Sequence, residues 1–351
     1  MSKKKKIAII GHFGGNQELY DGQTIKTKIL YSELKKATEW DIKKIDTYYK
    51  DKNKIKLLKD TFLCLLSIKD IVVLLSQNGM KFYFPILYFF CKVFHVRVYH
   101  DVIGGNLDTY VDKYPKYKKY LNTFEVNWVE TEGLKKRLQQ KGITNCEVMP
   151  NFKRLPIINE IKTDTTEPFR FCMFSRVMKE KGIEIAIEAI EKINADNQRN
   201  ICELDIYGNI DDAYKENFEN IMKNVSDAIR YKGCVPFDKS VETIKDYYAL
   251  LFPTYWMGEG FPGTIIDAFS AGIPVIASDW NCNNEIIENN KNGILYPNDD
   301  IKNLEEAIKS LIINVDKIEI LKQKCAESAK IYLPDIYIER IYNTITKREK
   351  G

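Results

Sequence analysis

Ala249-Leu250-Leu251-Phe252-Pro253-Thr254-Tyr255-Trp256-Met257-Gly258-Glu259-Gly260-Phe261-Pro262-Gly263-Thr264-Ile265-Ile266-Asp267-Ala268 opens on four continuous apolar residues. A run that short and that apolar suits a strand buried on both faces. Glycine and proline then mark a turn. The stretch from Thr264 to Ser270 reads as a helix. Strand, glycine loop, helix is the repeating unit of a parallel α/β sheet.

The same alternation extends in both directions. In the first half, strands are predicted at Lys6–Ile10, Asp41–Ile45, Ile71–Leu75, Val96–His100, Val126–Glu130 and Glu147–Met149. In the second half they are predicted at Phe169–Ser175, Glu203–Tyr207, Ile229–Lys232, Ala249–Phe252, Pro274–Ala277 and Gly293–Tyr296. Intervening helices include Thr24–Lys36, Gly133–Lys141, Gly182–Ile193 and Lys239–Tyr248, and two more follow the last strand. The 351 residues suit two domains at about 150 residues each. The expected organisation is a first domain over 1–155, a polar, proline-bracketed linker over 156–168, and a second domain over 169–333. Pro334 breaks the chain before a final amphipathic stretch within 335–351. Two such doubly wound domains leave a cleft, and ligands bind at the carboxyl ends of their strands beside helix N-termini.

Composition narrows the classes. A 44% hydrophobic and 29% charged chain excludes wholesale disorder, collagen and a disulfide scaffold. The eight cysteines show no zinc or redox spacing and fit a reducing cytosol. No apolar run approaches the ~18–20 residues of a bilayer span, and Ile7–Ile10 is too short for a signal peptide. The net charge of +4 conceals a division. Residues 1–165 carry 30 Lys and Arg against 18 Asp and Glu, a balance of +12, while residues 166–351 carry 23 against 31, or −8. A basic half joined to an acidic one often meets something anionic, although Lys-rich surface drift accounts for the charge equally well.

Three loops could carry chemistry. Gly11-His12-Phe13-Gly14-Gly15-Asn16 follows the first strand. Its glycines allow close backbone approach to a phosphate, but alone they are ordinary turn residues, and the loop is not G-x-G-x-x-G. Asp46, ending the second strand, keeps a nicotinamide-dependent dehydrogenase as an alternative. In the second loop, Arg176 and Lys181 stand five apart before a helix. A guanidinium fork and an ammonium suit phosphate oxygens, though two such residues alone read as solvated cations. In the third, Glu259 lies in the loop and Asp267 one turn into the helix, with glycine N–H groups between them suited to a diphosphate. The carboxylates suit hydroxyls of a sugar and a ribose; the blander role for Asp267 is a surface acid.

Taken together these residues resemble a retaining glycosyltransferase of family 4, with the GT-B fold: two Rossmann-like doubly wound α/β domains facing a central cleft. Glu259-x7-Asp267 matches that family's Glu-x7-Glu motif, with Asp in second place. Arg176-x4-Lys181, Gly208, Pro150-Asn151, Ala271–Ser278, Glu285 and Gly293 match further family positions. The resemblance implies that Arg176 and Lys181 neutralise the donor's diphosphate without a metal. It implies that Glu259 holds the donor sugar, with Phe261, Pro262, Gly263 and Thr264 beside it, and that Asp267 holds the ribose. Gly14 and Gly15 would underlie the diphosphate. His100 would reach the sugar, against a purely structural role for a strand-end histidine. The final stretch would cross back onto the first domain.

The implied activity is transfer of a hexose-type sugar from a nucleotide-diphosphate sugar, a UDP-sugar for preference, with no cofactor. The acceptor would be a glycan or a polyprenyl-diphosphate-linked oligosaccharide in capsule, exopolysaccharide or O-antigen synthesis. No nucleic-acid partner is expected. The first domain mixes lysines with aromatics at Lys81-Phe82-Tyr83, Phe89-Phe90-Cys91-Lys92 and Lys116-Tyr117-Lys118-Lys119-Tyr120. That pattern suits an anionic membrane surface, so a cytoplasmic protein peripheral to the inner face of the cell membrane is expected. The alternative is burial of the Phe82–Phe94 stretch as a core helix. A GT-B nucleotide-sugar epimerase is the other enzymatic alternative.

Overall fold

The computed structural model describes residues 4–17, 19, 21–50, 52–158, 165–297 and 300–347. They divide into two compact units. One runs to Lys153 and takes in the chain from Pro334 onward; the other is Arg154–Leu333.

The first unit contains β1 (Lys6–Gly11), α1 (Gly22–Ala37), β2 (Asp41–Asp46), α2 (Lys54–Ser67), β3 (Asp70–Leu74) and α3 (Gln77–Phe94). It continues with β4 (Arg97–Asp101), α4 (Leu107–Lys113), α5 (Lys116–Leu121), β5 (Val126–Val129), α6 (Glu132–Gln140) and β6 (Cys146–Val148). All six strands are parallel, in the order β2-β1-β3-β4-β5-β6. Alternation along each strand serves two cores. Ile7, Ile9, Val72, Tyr99 and Trp128 face one side, while Ala8, Ile10, Ile71, Val73 and Val98 face the other.

The second unit contains β7 (Phe169–Phe174), α7 (Ile183–Asp196), β8 (Cys202–Tyr207), α8 (Lys215–Met222), β9 (Ile229–Gly233), α9 (Ser240–Ile244) and β10 (Ala249–Phe252). There follow α10 (Gly263–Ser270), β11 (Val275–Ser278), α11 (Asn283–Ile286), β12 (Gly293–Tyr296), α12 (Ile301–Ile313) and α13 (Val315–Ala329). These strands are also parallel, in the order β12-β11-β10-β7-β8-β9. The last helix, α14 (Pro334–Lys347), belongs to the first unit. Pro334 starts this helix instead of merely breaking the chain, because an N-terminal position has no intrahelical N–H to lose. Tyr337, Ile338, Ile341 and Ile345 complete the core that holds Ile7, Leu34 and Trp128.

Two stretches differ from expectation. The helix predicted over 239–248 shortens to α9, because Tyr248 N–H donates to Arg170 O (2.7 Å) and Tyr247 Oη to Asp205 Oδ2 (2.5 Å). Those bonds pull the chain into β10. The expected linker begins with packed residues: Ile157 and Ile158 lie against the core beneath α10, next to the buried Leu155, and Ile158 N–H donates to Ser270 O (2.9 Å). The middle of that segment, 159–164, lies outside the described residues. Among the described residues, no helix is long and apolar enough to cross a membrane.

Candidate active site

In the second unit the strand order reverses between β7 and β10. Successive strands proceed outward from β7 through β8 and β9, and outward from β10 through β11 and β12. The carboxyl ends at such a reversal are where open α/β sheets bind ligands. The loops leaving these two strands carry Arg176, Lys181 and Glu259.

Close backbone approach fixes these loops. Gly182 has φ +75°, and a Cβ there would stand 2.1 Å from Pro253 O; only glycine lets the turn after β7 press onto the loop after β10. Tyr255 N–H donates to Glu180 O (2.9 Å), which joins the same loops. Gly208 has φ +139°, and its Cβ would fall 1.8 Å from Ser175 O. The end of β8 is thereby held against the backbone leading to Arg176.

The result is a buried ion pair between Lys181 Nζ and Glu259 Oε2, with the residues only 7% and 6% exposed. The Thr254 hydroxyl lies 3.2 Å from the same carboxylate oxygen. The ammonium also sits 5.0 Å from the Trp256 ring centroid and 5.3 Å from that of Phe252. Trp280 Nε1–H donates to Trp256 O (2.9 Å) and Asn281 Nδ2–H to Glu259 O (3.1 Å), which steadies the glycine loop. Burying two charges costs several kcal/mol per ion before their attraction offsets it. Arg176 is exposed, and its guanidinium reaches Asp211 at 3.8 Å, so the structure does not bring it into the pair.

Pro262 precedes α10, which begins at Gly263. Phe261 is buried against Tyr332 at a 5.3 Å centroid distance. Thr264 Oγ1 is buried without a hydrogen-bond partner among the described residues. Asp267 is buried, and its Oδ1 accepts from Ser240 Oγ–H (2.9 Å), which ties α10 to α9. The helix closes with Gly272 at φ +67°, where Ile273 N–H reaches Ala268 O and Gly272 N–H reaches Phe269 O, both at 3.0 Å. This paired closure satisfies carbonyls that the helix leaves open.

In the first unit the order reverses between β1 and β3, and the glycine loop lies after β1. Gly14 and Gly15 have φ of +82° and +60°. Asp46 occupies this loop from within: its carboxylate accepts from Phe13 N–H (2.9 Å), Gly15 N–H (2.8 Å) and Tyr48 N–H (3.0 Å). Asp46 thus braces the glycine loop through three backbone donors, which accounts for this acid at the end of β2 without a ribose.

His100, expected at the donor sugar, lies at the end of β4. It is 0% exposed, because alternation along β4 turns it with Val98 into the core beneath α3. There it packs on Phe84 and Phe124, and Nδ1 lies 3.0 Å from Asn127 Oδ1. Burial pushes its pKa down to about 4, so it is neutral at pH 7. The adjacent Asp101 points to the other side, where Lys26 bonds Asp101 (2.7 Å), Glu130 (2.8 Å) and Val102 O (3.0 Å). Burial raises the Asp101 carboxyl to about 6. For Lys26, burial opposes protonation, but the two carboxylates outweigh it and raise the ammonium's pKa. Sequence reasoning passed over this trio and Thr254, since nothing in their spacing joins residues from separate strands and helices.

His12 stands in the loop after β1. Thr24 Oγ1 lies 2.6 Å from Asp21 Oδ2 and 2.7 Å from His12 Nδ1. With Asp21 accepting from the hydroxyl, Thr24 accepts from Nδ1–H. Among the described residues, no group of three His, Cys, Asp or Glu side chains is placed to hold a metal.

Residues 157–331 match the glycosyl transferases group 1 family. The group 1 region contains the candidate site residues of the second unit, from Arg176 to Asp267. An uncharacterized glycosyltransferase of Methanocaldococcus jannaschii is 26% identical over 180 residues, which is 50% of this chain and 43% of that one. The UDP-N-acetylglucosamine–peptide N-acetylglucosaminyltransferase GtfA subunit of Streptococcus pneumoniae is 25% identical over 230 residues, 62% of this chain and 44% of that protein. The chain thus spans less than half the length of these curated relatives. Sucrose-phosphate synthase of Thermosynechococcus elongatus superposes with a TM-score of 0.81 over 99% of this chain and 100% of that one, at 15% identity. The architecture is the GT-B fold.

Proposed function

We propose that this protein transfers a hexose-type sugar with retention, from a UDP-sugar to a glycan or polyprenyl-diphosphate-linked acceptor. The observation that carries this reading is the buried Lys181–Glu259 pair at the strand reversal of a group 1 domain. A buried charge pair contributes little net stability, so its place in the loops at the strand reversal points to a ligand. The GtfA relative is named for UDP-N-acetylglucosamine, which supports a UDP-linked donor. The surrounding pathway would be capsule, exopolysaccharide or O-antigen synthesis.

In this reading Lys181 and Arg176 stabilise charge that develops on the diphosphate as the sugar C1–oxygen bond breaks. Glu259 accepts hydrogen bonds from donor-sugar hydroxyls, and the backbone N–H groups of Phe261, Gly263 and Thr264 face the phosphates. Thr264 Oγ1, free of any described partner, adds a donor at the same helix end. Asp267 would accept from the ribose while keeping Ser240. The acceptor oxygen bonds to C1 on the face the leaving group vacates, and its proton passes to the departing phosphate oxygen. His100 has no part in this account.

The decisive experiment is a thermal-unfolding screen of nucleotide diphosphate sugars, followed by NMR of the product anomer. A UDP-sugar should raise Tm, since ligands that bind only the folded state stabilise it by mass action. Product with the donor's anomeric configuration supports retention. Inverted product overturns retention, and an epimerised sugar formed without acceptor overturns transfer.

A further inference from the structure

Helix α2 is apolar on both sides. Its inner side, with Leu57, Cys64 and Leu65, packs on the core of the first unit. Its outer side carries Ile55, Leu58, Phe62, Leu63 and Leu66, all exposed, with Ile55 at 82% and Phe62 at 52%. At 100° per residue these five fall within a sector of about 140°. A surface helix of an isolated domain presents polar residues there.

Helix α3 continues the patch. Tyr83, Phe84, Leu87 and Phe90 are buried, while Phe82, Phe89 and Val93, at spacings of seven and four, form an exposed stripe. This stretch, expected to be a core helix if it does not meet a membrane, is buried on one face and exposed on the other. The two helices touch through Phe62 and Phe90 rings at 5.4 Å and through Thr61 and Tyr83 hydroxyls at 3.4 Å. The exposed apolar residues thus lie on adjoining helices, and such contiguous patches mark interaction sites.

The charges select the occupant. Lys54, Lys56, Lys59, Lys81 and Lys92 on these helices are exposed, against one acid, the half-buried Asp60. Beyond α3 lies α5, where Lys119 sits 4.8 Å from the Tyr88 ring centroid and Lys116 and Lys118 are exposed. Lysine is depleted from protein–protein interfaces. At a bilayer surface its stem covers apolar area while the ammonium reaches lipid phosphates. Tyrosine rings prefer the same headgroup depth.

We infer that the outer faces of α2 and α3 dock this protein on an anionic phospholipid bilayer, with the apolar stripe among the acyl chains and the lysines on the headgroups. This goes beyond the proposed sugar transfer and is read without turnover. The full chain would be floated with phosphatidylcholine–phosphatidylglycerol vesicles and with phosphatidylcholine vesicles alone. Strong partition onto the anionic vesicles only, weakened by salt, is expected. A variant combining Ile55→Gln, Leu66→Gln, Phe89→Gln and Val93→Gln should bind at least tenfold more weakly. A second variant, with the exposed Lys54, Lys56, Lys59, Lys81 and Lys92 each changed to Gln, should lose the preference for anionic lipid. Failure of the wild type to partition at low salt overturns the inference, as does undiminished partition of either variant. A dimer in sedimentation equilibrium that the first variant abolishes, without vesicle binding, also overturns it and makes the patch a contact between copies.

Discussion

Glu259 and Lys181 are at once the centre of the candidate site and a liability to the fold. Truncating one partner of a buried pair strands the other charge, at about 3–5 kcal/mol. Alanine variants therefore confound folding with function. Glu259→Gln also removes the counter-charge of Lys181, but it keeps the volume and an acceptor oxygen for Lys181 and Thr254, so the loss of stability is smaller than for alanine. It should lower kcat/KM at least a hundredfold and leave the cooperative melt in place; wild-type turnover in this variant would refute the assignment. His100 supports a second prediction. Its pKa is about 4 when folded, below the ordinary 6.5, so the unfolded chain binds this proton first as pH falls. The histidine's contribution is present above pH 6.5 and is lost as pH drops toward 4. Urea unfolding of wild type and His100→Gln at pH 7 and pH 4.5 should show wild type losing ground to the variant by about 2–3 kcal/mol. Asp101 titrates in both proteins and cancels in the comparison.

Glycine loops decide how the second unit's elements meet. Gly208 lies where β8 ends against the backbone of Ser175, and an alanine Cβ would be driven to 1.8 Å from a carbonyl oxygen. Neither backbone can yield without breaking the β7–β8 ladder. Gly208→Ala should cost about 3 kcal/mol or more by urea unfolding, from overpacking together with its positive φ. A variant of wild-type stability would show that the contact relaxes. By contrast, Gly22 at the start of α1 has open space around it and an ordinary φ. Gly22→Ala should change stability by less than about 1 kcal/mol. The pair of substitutions separates a position that demands glycine from one that tolerates it.

In the whole molecule, one unit is assembled from both ends of the chain. Tyr337, Ile338, Ile341 and Ile345 of α14 bury against residues of β1, α1 and β5. At about 1.5–3 kcal/mol per side chain, these four are worth as much as the entire stability of a typical domain. A chain ending at Leu333 should lose the melting transition of the first unit and bind hydrophobic dyes. The second unit, whose cores use only its own residues, should keep a cooperative transition. Calorimetry of the two chains tests this, and an unchanged first transition would overturn it.

Strand positions, the two sheets and the loops leaving β7 and β10 were legible in the sequence, because apolar runs, glycines and prolines report local backbone geometry. Observed strand ends fall within a residue or two of those predicted. Which side chains meet was not legible. Glu259 and Lys181 are separated by 78 residues, and Lys26 and Glu130 by 104, so no local pattern records either contact. His100 and Asp101 are neighbours in sequence, yet the pleat sends one into an aromatic core and the other to a lysine. Asp46 seemed available for a ribose until the fold placed it under the glycine loop. Local physics determined the elements; only their packing decided which polar groups were consumed by the structure and which were left for a ligand.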